Sequence, residues 1–148
     1  MFSSTGAQPR ATKDTVKNIE STGEFVCNMV TWDLRDQMNA TSAPAPADIN
    51  EFELAELEME PSQLVKPPRV KAAPIHMECN YIQTVKMPCD MPGGRNVMII
   101  GQVIGIQIND EFLVGGKIDI ESIQPLARMG YQDYSSVEKI FTLKRPIK

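Results

Sequence analysis

The sequence predicts a mainly β protein with short helices, its antiparallel strands curling toward a barrel. Three observations carry that expectation. Residues 96–108 form a long stretch rich in Val and Ile, with Gly101 and Gly105 inside it. Glycines within a long strand mark bends at which a sheet closes. Residues 70–85 form a second extended stretch, interrupted by Pro74. The helical patterns elsewhere are short and bounded by capping residues.

The elements follow in order. Residues 1–5 read as the end of a strand, and residues 6–11 as a polar loop. Thr12 is the expected N-cap of a first helix, because its hydroxyl can accept an orphan backbone N–H. Asp14 suits the positive end of the helix dipole. Val16 and Ile19 are spaced to share a buried face, and Gly23 is a fitting C-terminal glycine. Residues 24–31 read as a strand with Phe25, Cys27 and Met29 on one face. Asp33 is expected to cap a short second helix reaching Asn39, with Leu34 and Met38 inward. Residues 43–47 form a proline-containing loop. Asn50 and Glu53 suggest a capping box for a third short helix.

Residues 61–69 read as a proline-rich connection. Residues 87–95, with two prolines and Gly93-Gly94, read as a loop between strands. Asn109-Asp110 signals a turn. Short elements at residues 112–114 and 117–120 flank Gly115-Gly116. The tail offers a strand at residues 126–131 and a last one near residues 140–143. No internal repeat is present.

The chain has 148 residues, of which 42% are hydrophobic and 23% charged, which suits one domain with an ordinary core. Its net charge of −4 and the lack of a basic stripe argue against nucleic acid as a partner. No secretory pattern opens the sequence. The most apolar stretch, residues 96–108, is too short for a membrane helix and carries Gln102 and Gln107. The three cysteines lack paired spacing, so a reduced, cytoplasmic setting is expected. His76 reads as a structural histidine, and Cys79 as a small buried residue. Cys89 has no basic neighbour in sequence to activate it. Glu51, Glu53, Glu56, Glu58 and Glu60 read as a solvated face. The nine methionines read as core filler or as part of a subunit interface. No Ser/His/Asp set, carboxylate pair or zinc-ligand spacing stands out.

One segment carries potential chemistry. Ser3-Ser4-Thr5-Gly6, Arg10 and Thr12-Lys13-Asp14-Thr15 place hydroxyls, basic side chains and a helix N-terminus close together. Open N–H groups at a helix start favour an anion. Hydroxyls can donate to phosphate oxygens, and Lys13 or Arg10 can balance the charge. The segment lacks the glycines of a Walker loop. A strand, a polar loop and a capped helix are also commonplace, and from these residues alone that plainer reading is the better one.

The sequence resembles the flavin reductase-like family, which has the FMN-binding split-barrel fold. The resemblance rests on Phe2-Ser3-Ser4-Thr5, Lys13-Asp14-Thr15 with Asn18-Ile19, and Gly23-Glu24-Phe25-Val26 with Asn28. It continues through Met38-Asn39, Thr41-Ser42, Pro67-Pro68-Arg69-Val70 and Glu78-Cys79. It closes with residues 101–106 and Ala127-Arg128-Met129-Gly130-Tyr131 before Tyr134. The order and spacing of the pieces are more specific than any one of them.

The resemblance implies an FMN-binding oxidoreductase and a homodimer with FMN near the subunit interface. The implied activity is NAD(P)H-dependent flavin reduction or flavoprotein electron transfer, with a possible electron-acceptor enzyme as partner. Ser3, Ser4, Thr5, Lys13, Asp14 and Thr15 match the segments that grip the flavin and its ribityl phosphate. Asp14 carries the wrong charge to touch phosphate and is expected to order the loop. Asn39 and Ser42 are further candidates for the flavin neighbourhood. Hydride transfer between nicotinamide and flavin requires no acid–base residue, so the lack of a catalytic constellation fits. The alternatives are an FMN-binding protein without turnover and an inactive fragment. Members of the family carry roughly fifty further residues ahead of the first strand seen here, within a domain of about 200. The chain is therefore expected to be a single, N-terminally truncated flavin reductase-like domain over residues 1–148.

Overall fold

The computed structural model describes residues 1–6 and 12–147. In chain order it contains β1 (Phe2–Gly6), α1 (Asp14–Thr22), β2 (Glu24–Asn28), α2 (Arg35–Ala40), α3 (Glu51–Leu54), β3 (Met59–Glu60), β4 (Arg69–Val70), β5 (Ile75–Met87) and β6 (Arg95–Ile108). A 3-10 turn (Asp110–Phe112) follows, then β7 (Leu113–Val114), β8 (Lys117–Ile118), α4 (Ile120–Ile123), β9 (Leu126–Gly130) and β10 (Asp133–Ser136).

β5 and β6 form a long hairpin at the centre of a four-stranded antiparallel sheet of order β1-β6-β5-β2. The β5–β6 register slips between Glu78 and Cys79 and between Tyr81 and Gln83. Such bulges increase local twist and curl a sheet. The glycines of β6 lie opposite this region, and close packing is part of their use. A Cβ on Gly101 would lie 2.5 Å from the Phe25 ring, and one on Gly105 would lie 2.7 Å from Leu64 Cδ1.

One face of the sheet is covered by α1. Val16 and Ile19 pack there with Phe25, Cys79, Val97 and Ile99. Burial of each such aliphatic side chain contributes about 1.5–3 kcal/mol relative to leaving it in water. Phe2 meets Phe25 edge-on, with ring centroids 5.9 Å apart at 71°. This arrangement suits the positive edge and negative face of aromatic rings.

The segment between β3 and β5 is tied to β2 and β5 by polar side chains. Glu78, fully buried, accepts the backbone N–H groups of Gln63 at 2.9 Å and Leu64 at 2.6 Å. Burial pushes its carboxyl up, but bonds from Gln63, Leu64 and Val65 and the charge of Arg69 outweigh that, holding it below the usual carboxylate range. Glu24 accepts from Lys66 N and Asn28 from Val70 N, each at 2.9 Å. His76 Nε2 lies 2.8 Å from the Val70 carbonyl, which only accepts, so this nitrogen carries the proton. His76 is thus the structural histidine expected.

Several expectations are corrected. The first helix is capped at Lys13, not Thr12, because the Thr12 hydroxyl is engaged by Arg95 instead. The second helix has Leu34 at its N-cap, and Asp33 does not cap it. Leu34 and Met38 are only half-buried. β2 ends at Asn28, and Thr31 makes only an isolated bridge to Pro125. The break expected at Pro74 holds and separates β4 from β5, whereas residues 117–120 divide into β8 and the start of α4. Residues 140–143 form no strand; the partner of β9 is β10, joined through left-handed Gly130 and Tyr131. No methionine is in the buried core, so they are not core filler. Asn50 caps α3 through Phe52 N at 3.1 Å, while Glu53 reaches the Asn50 amide rather than its backbone.

Candidate functional site

The site grows from the N-terminus of α1. A helix leaves its first backbone N–H groups without partners inside the helix. The N-cap residue, Lys13, is extended at φ −67° and ψ 150° and makes no side-chain cap bond. These donors, the positive end of the helix dipole and the Lys13 charge therefore coincide. Gly23, in the left-handed conformation at φ 76°, ends the helix.

Thr12 is held from the sheet. Arg95, the first residue of β6, donates to its Oγ1 at 3.1 Å. The same guanidinium donates to Glu20 at 3.1 Å, on the second turn of α1. Glu20 also accepts the Thr84 hydroxyl at 2.8 Å, and Thr84 in turn meets the Tyr81 hydroxyl at 2.8 Å. The Thr84 bond first, and Arg95 with it, lower the Glu20 carboxyl against the opposing effect of desolvation. The network fixes α1 against the β5–β6 hairpin.

A pocket of about 610 Å³ lies between the start of α1 and the segment that follows α2. Thr5, Lys13, Asp14, Thr15 and Asn18 line one side, and Thr41, Ser42 and Asn50 the other. Its size is ordinary for a small-molecule site. The Thr41 hydroxyl donates to Met38 O at 2.8 Å and the Ser42 hydroxyl to Asn39 O at 2.6 Å. Their protons are committed to α2, so their oxygens remain available as acceptors. The α1 side offers donors and positive charge. The pocket thus brings open N–H donors and Lys13 opposite hydroxyl oxygens, with the Asp14 and Glu51 carboxylates also in its lining. A phosphorylated polyol fits this donor set.

Four of the six residues singled out in sequence, Thr5, Lys13, Asp14 and Thr15, line this pocket. Ser4 points to the other face of β1, into a small hollow with Thr12, Lys13 and Arg95. Ser3 lines neither, although strand alternation places it on the face of Thr5, about 7 Å along the strand. Asp14 pairs with Lys17 at 3.3 Å. Arg10 lies outside the described residues. Ser42 lines the pocket, whereas Asn39 lines a separate cleft. Asn18, Thr41 and Arg95 were not singled out as pocket-lining or pocket-holding residues from the residues alone. Helical spacing from Asp14 and Thr15 puts Asn18 on their face, but nothing local marks Arg95.

No helix among the described residues is long and apolar enough to cross a membrane, which leaves strands unaddressed. Among the described residues, no group of three or more His, Cys, Asp or Glu could hold a metal ion.

Comparison with known proteins agrees with this architecture. Protein BH2278 of Halalkalibacterium halodurans is 32% identical over 146 residues, covering 97% of this chain and 69% of that protein. The curated relatives are matched over 54–69% of their own length. The structure of nitrilotriacetate monooxygenase component B from Bacillus cereus is 28% identical, with a TM-score of 0.84 over 95% of this chain and 70% of that one. A protein with a split barrel domain from Shewanella frigidimarina has a TM-score of 0.80 at 24% identity, over 97% of this chain and 70% of that one. That likeness establishes the split-barrel fold. Together these similarities support a flavin-related oxidoreductase function. Residues 6–120 match the model of the flavin reductase like domain, and the chain belongs to that family.

Proposed function

We propose that the chain is an FMN-dependent oxidoreductase that takes electrons from NAD(P)H. The observation that carries this reading is the pocket at α1. Its open helix N-terminus and Lys13 suit the phosphate of FMN, and the Thr15 hydroxyl can donate to the same group. The oxygens of Thr41 and Ser42 suit the ribityl hydroxyls, because their own protons are already donated to α2. Asp14 repels phosphate, and its partner Lys17 lessens that cost. Bound FMN supplies the hydride and electron chemistry, and the protein binds and orients it.

We also propose a homodimer in the cytoplasm. The core face of the sheet runs on past Cys79 to the paired residues Met77 and Ile106, which are 37% and 59% exposed. An exposed apolar stretch beside a core suits a subunit interface. The free cysteines suit a reducing compartment.

The test is oxidation of NADH and NADPH by FMN-loaded protein, compared with free FMN at the same concentration. The proposal expects turnover above free flavin. Binding of FMN without such turnover would leave an FMN-binding protein and overturn the enzyme reading.

A further inference from the structure

A second cleft, of about 540 Å³, opens between α2 and the β9–β10 hairpin. Its walls include Trp32, Arg35, Met38, Leu126, Arg128 and Tyr134, none of which lines the pocket at α1. Trp32 is the only tryptophan of the chain. It is 48% exposed and Tyr134 is 40% exposed, so two aromatic rings border one recess.

Each ring carries a guanidinium. Arg35 lies 4.4 Å from the centroid of Trp32, and Arg128 lies 4.6 Å from that of Tyr134. Cation–π attraction holds both groups in place. Hydrogen bonds hold them further: Arg35 donates to Trp32 O at 2.7 Å, and Arg128 donates to Tyr131 O and to the Tyr134 hydroxyl. These bonds take only part of the five N–H donors that each guanidinium has. Asp36, 3.5 Å from Arg35, is the one carboxylate lining the cleft among the described residues. Two fixed cations thus face one anion, in a chain whose net charge is −4.

We propose that this cleft binds a planar aromatic carboxylate. The ring lies against Trp32 and Tyr134, and the carboxylate takes N–H groups of Arg35 and Arg128. The planar guanidinium fork matches two carboxylate oxygens, and stacking on a ring pre-orders it for that bond. A phosphate ester would use the charges but leave the aromatic surfaces bare. A neutral aromatic ring would leave the guanidinium donors unused. The two sites are joined through α2: Asn39 lines this cleft, and Thr41 and Ser42 line the other. That this ligand is a substrate rests on the flavin reading above; its binding does not.

The test titrates the full chain with benzoate and reads the single indole N–H signal of Trp32 by nuclear magnetic resonance. FMN binding is measured in parallel by flavin fluorescence. The expected result is a saturable shift of the Trp32 signal with benzoate and none with the neutral isostere benzamide. Arg128→Gln weakens the benzoate response by about tenfold, and Arg128→Lys, which keeps the charge without the fork, does not restore it. The benzamide comparison uses the unaltered protein, so the test stands even where a variant fails to fold. A Trp32 signal that benzoate leaves unmoved overturns the proposal, whatever FMN does. Displacement of FMN by benzoate also overturns it, by making the cleft part of the flavin site. A benzoate shift without FMN binding supports this site and overturns the flavin reading alone.

Discussion

Arg95 donates to the Thr12 hydroxyl at 3.1 Å across 83 residues of sequence, and this bond ties the residue ahead of the α1 N-cap to the sheet. The hydroxyl that could have capped the helix is drawn to the sheet, and Lys13 takes the cap position with its side chain uncommitted to capping. The second arm of Arg95 reaches Glu20 on the same helix. Arg95→Gln therefore loosens the pocket without removing any residue that lines it. FMN affinity is expected to fall by about tenfold, the scale of losing one charge-assisted bond. Flavin fluorescence titration checks this, and Arg95→Lys recovers part of the loss through Glu20.

Lys13 is expected to serve the phosphate rather than the ring. Lys13→Gln weakens FMN binding by about tenfold and reduces its salt dependence, because one phosphate-facing charge is gone. Riboflavin, which lacks the phosphate, binds the variant and the parent alike. Parallel titrations with the two flavins separate this outcome from a general loss of structure.

Glu78 gives the fold an acid-sensitive tie. Its carboxylate holds the Gln63 and Leu64 N–H groups from a fully buried position. Glu78→Gln is expected to cost about 1–3 kcal/mol, measured by urea denaturation at neutral pH. The folded-state pKa lies below the unfolded one. The stabilisation is therefore fully present above the unfolded value of about 4.3 and is lost as pH falls through the folded value. Stability of the parent drops more steeply than that of the variant below about pH 4.3.

Gly101 and Gly23 are needed for different reasons. Alanine at position 101 would press on the Phe25 ring, where overpacking costs about 1–3 kcal/mol. Alanine at position 23 meets open space but a left-handed backbone, which costs about 1–2 kcal/mol. Thermal melts of the two variants are expected to show loss at both positions. At position 101, the smaller side chain of Phe25→Leu relieves part of it, and at position 23 it relieves none.

The sheet was largely legible because its strands carry local signals. The expected strand at residues 96–108 differs from β6 by one residue, since Val and Ile fill it and turn residues bound it. Pro74 correctly divided the stretch before it. β10 was missed because Asp133–Ser136 is polar and shows no alternation. The apolar residues Ile140, Phe141 and Leu143 drew the expectation instead, yet all three are exposed. The site was half legible. Thr5, Lys13, Asp14 and Thr15 are close in sequence, and the end of β1 and the start of α1 present them to one pocket. Thr41 and Arg95 come from distant segments, and only the folded sheet shows their place.

A fluorescence titration of the chain with FMN reads directly whether the pocket at α1 holds the flavin. Saturable binding of one FMN per chain is expected, weakened by Lys13→Gln and by Arg95→Gln. Absence of saturable binding, or binding that neither substitution weakens, would contradict it.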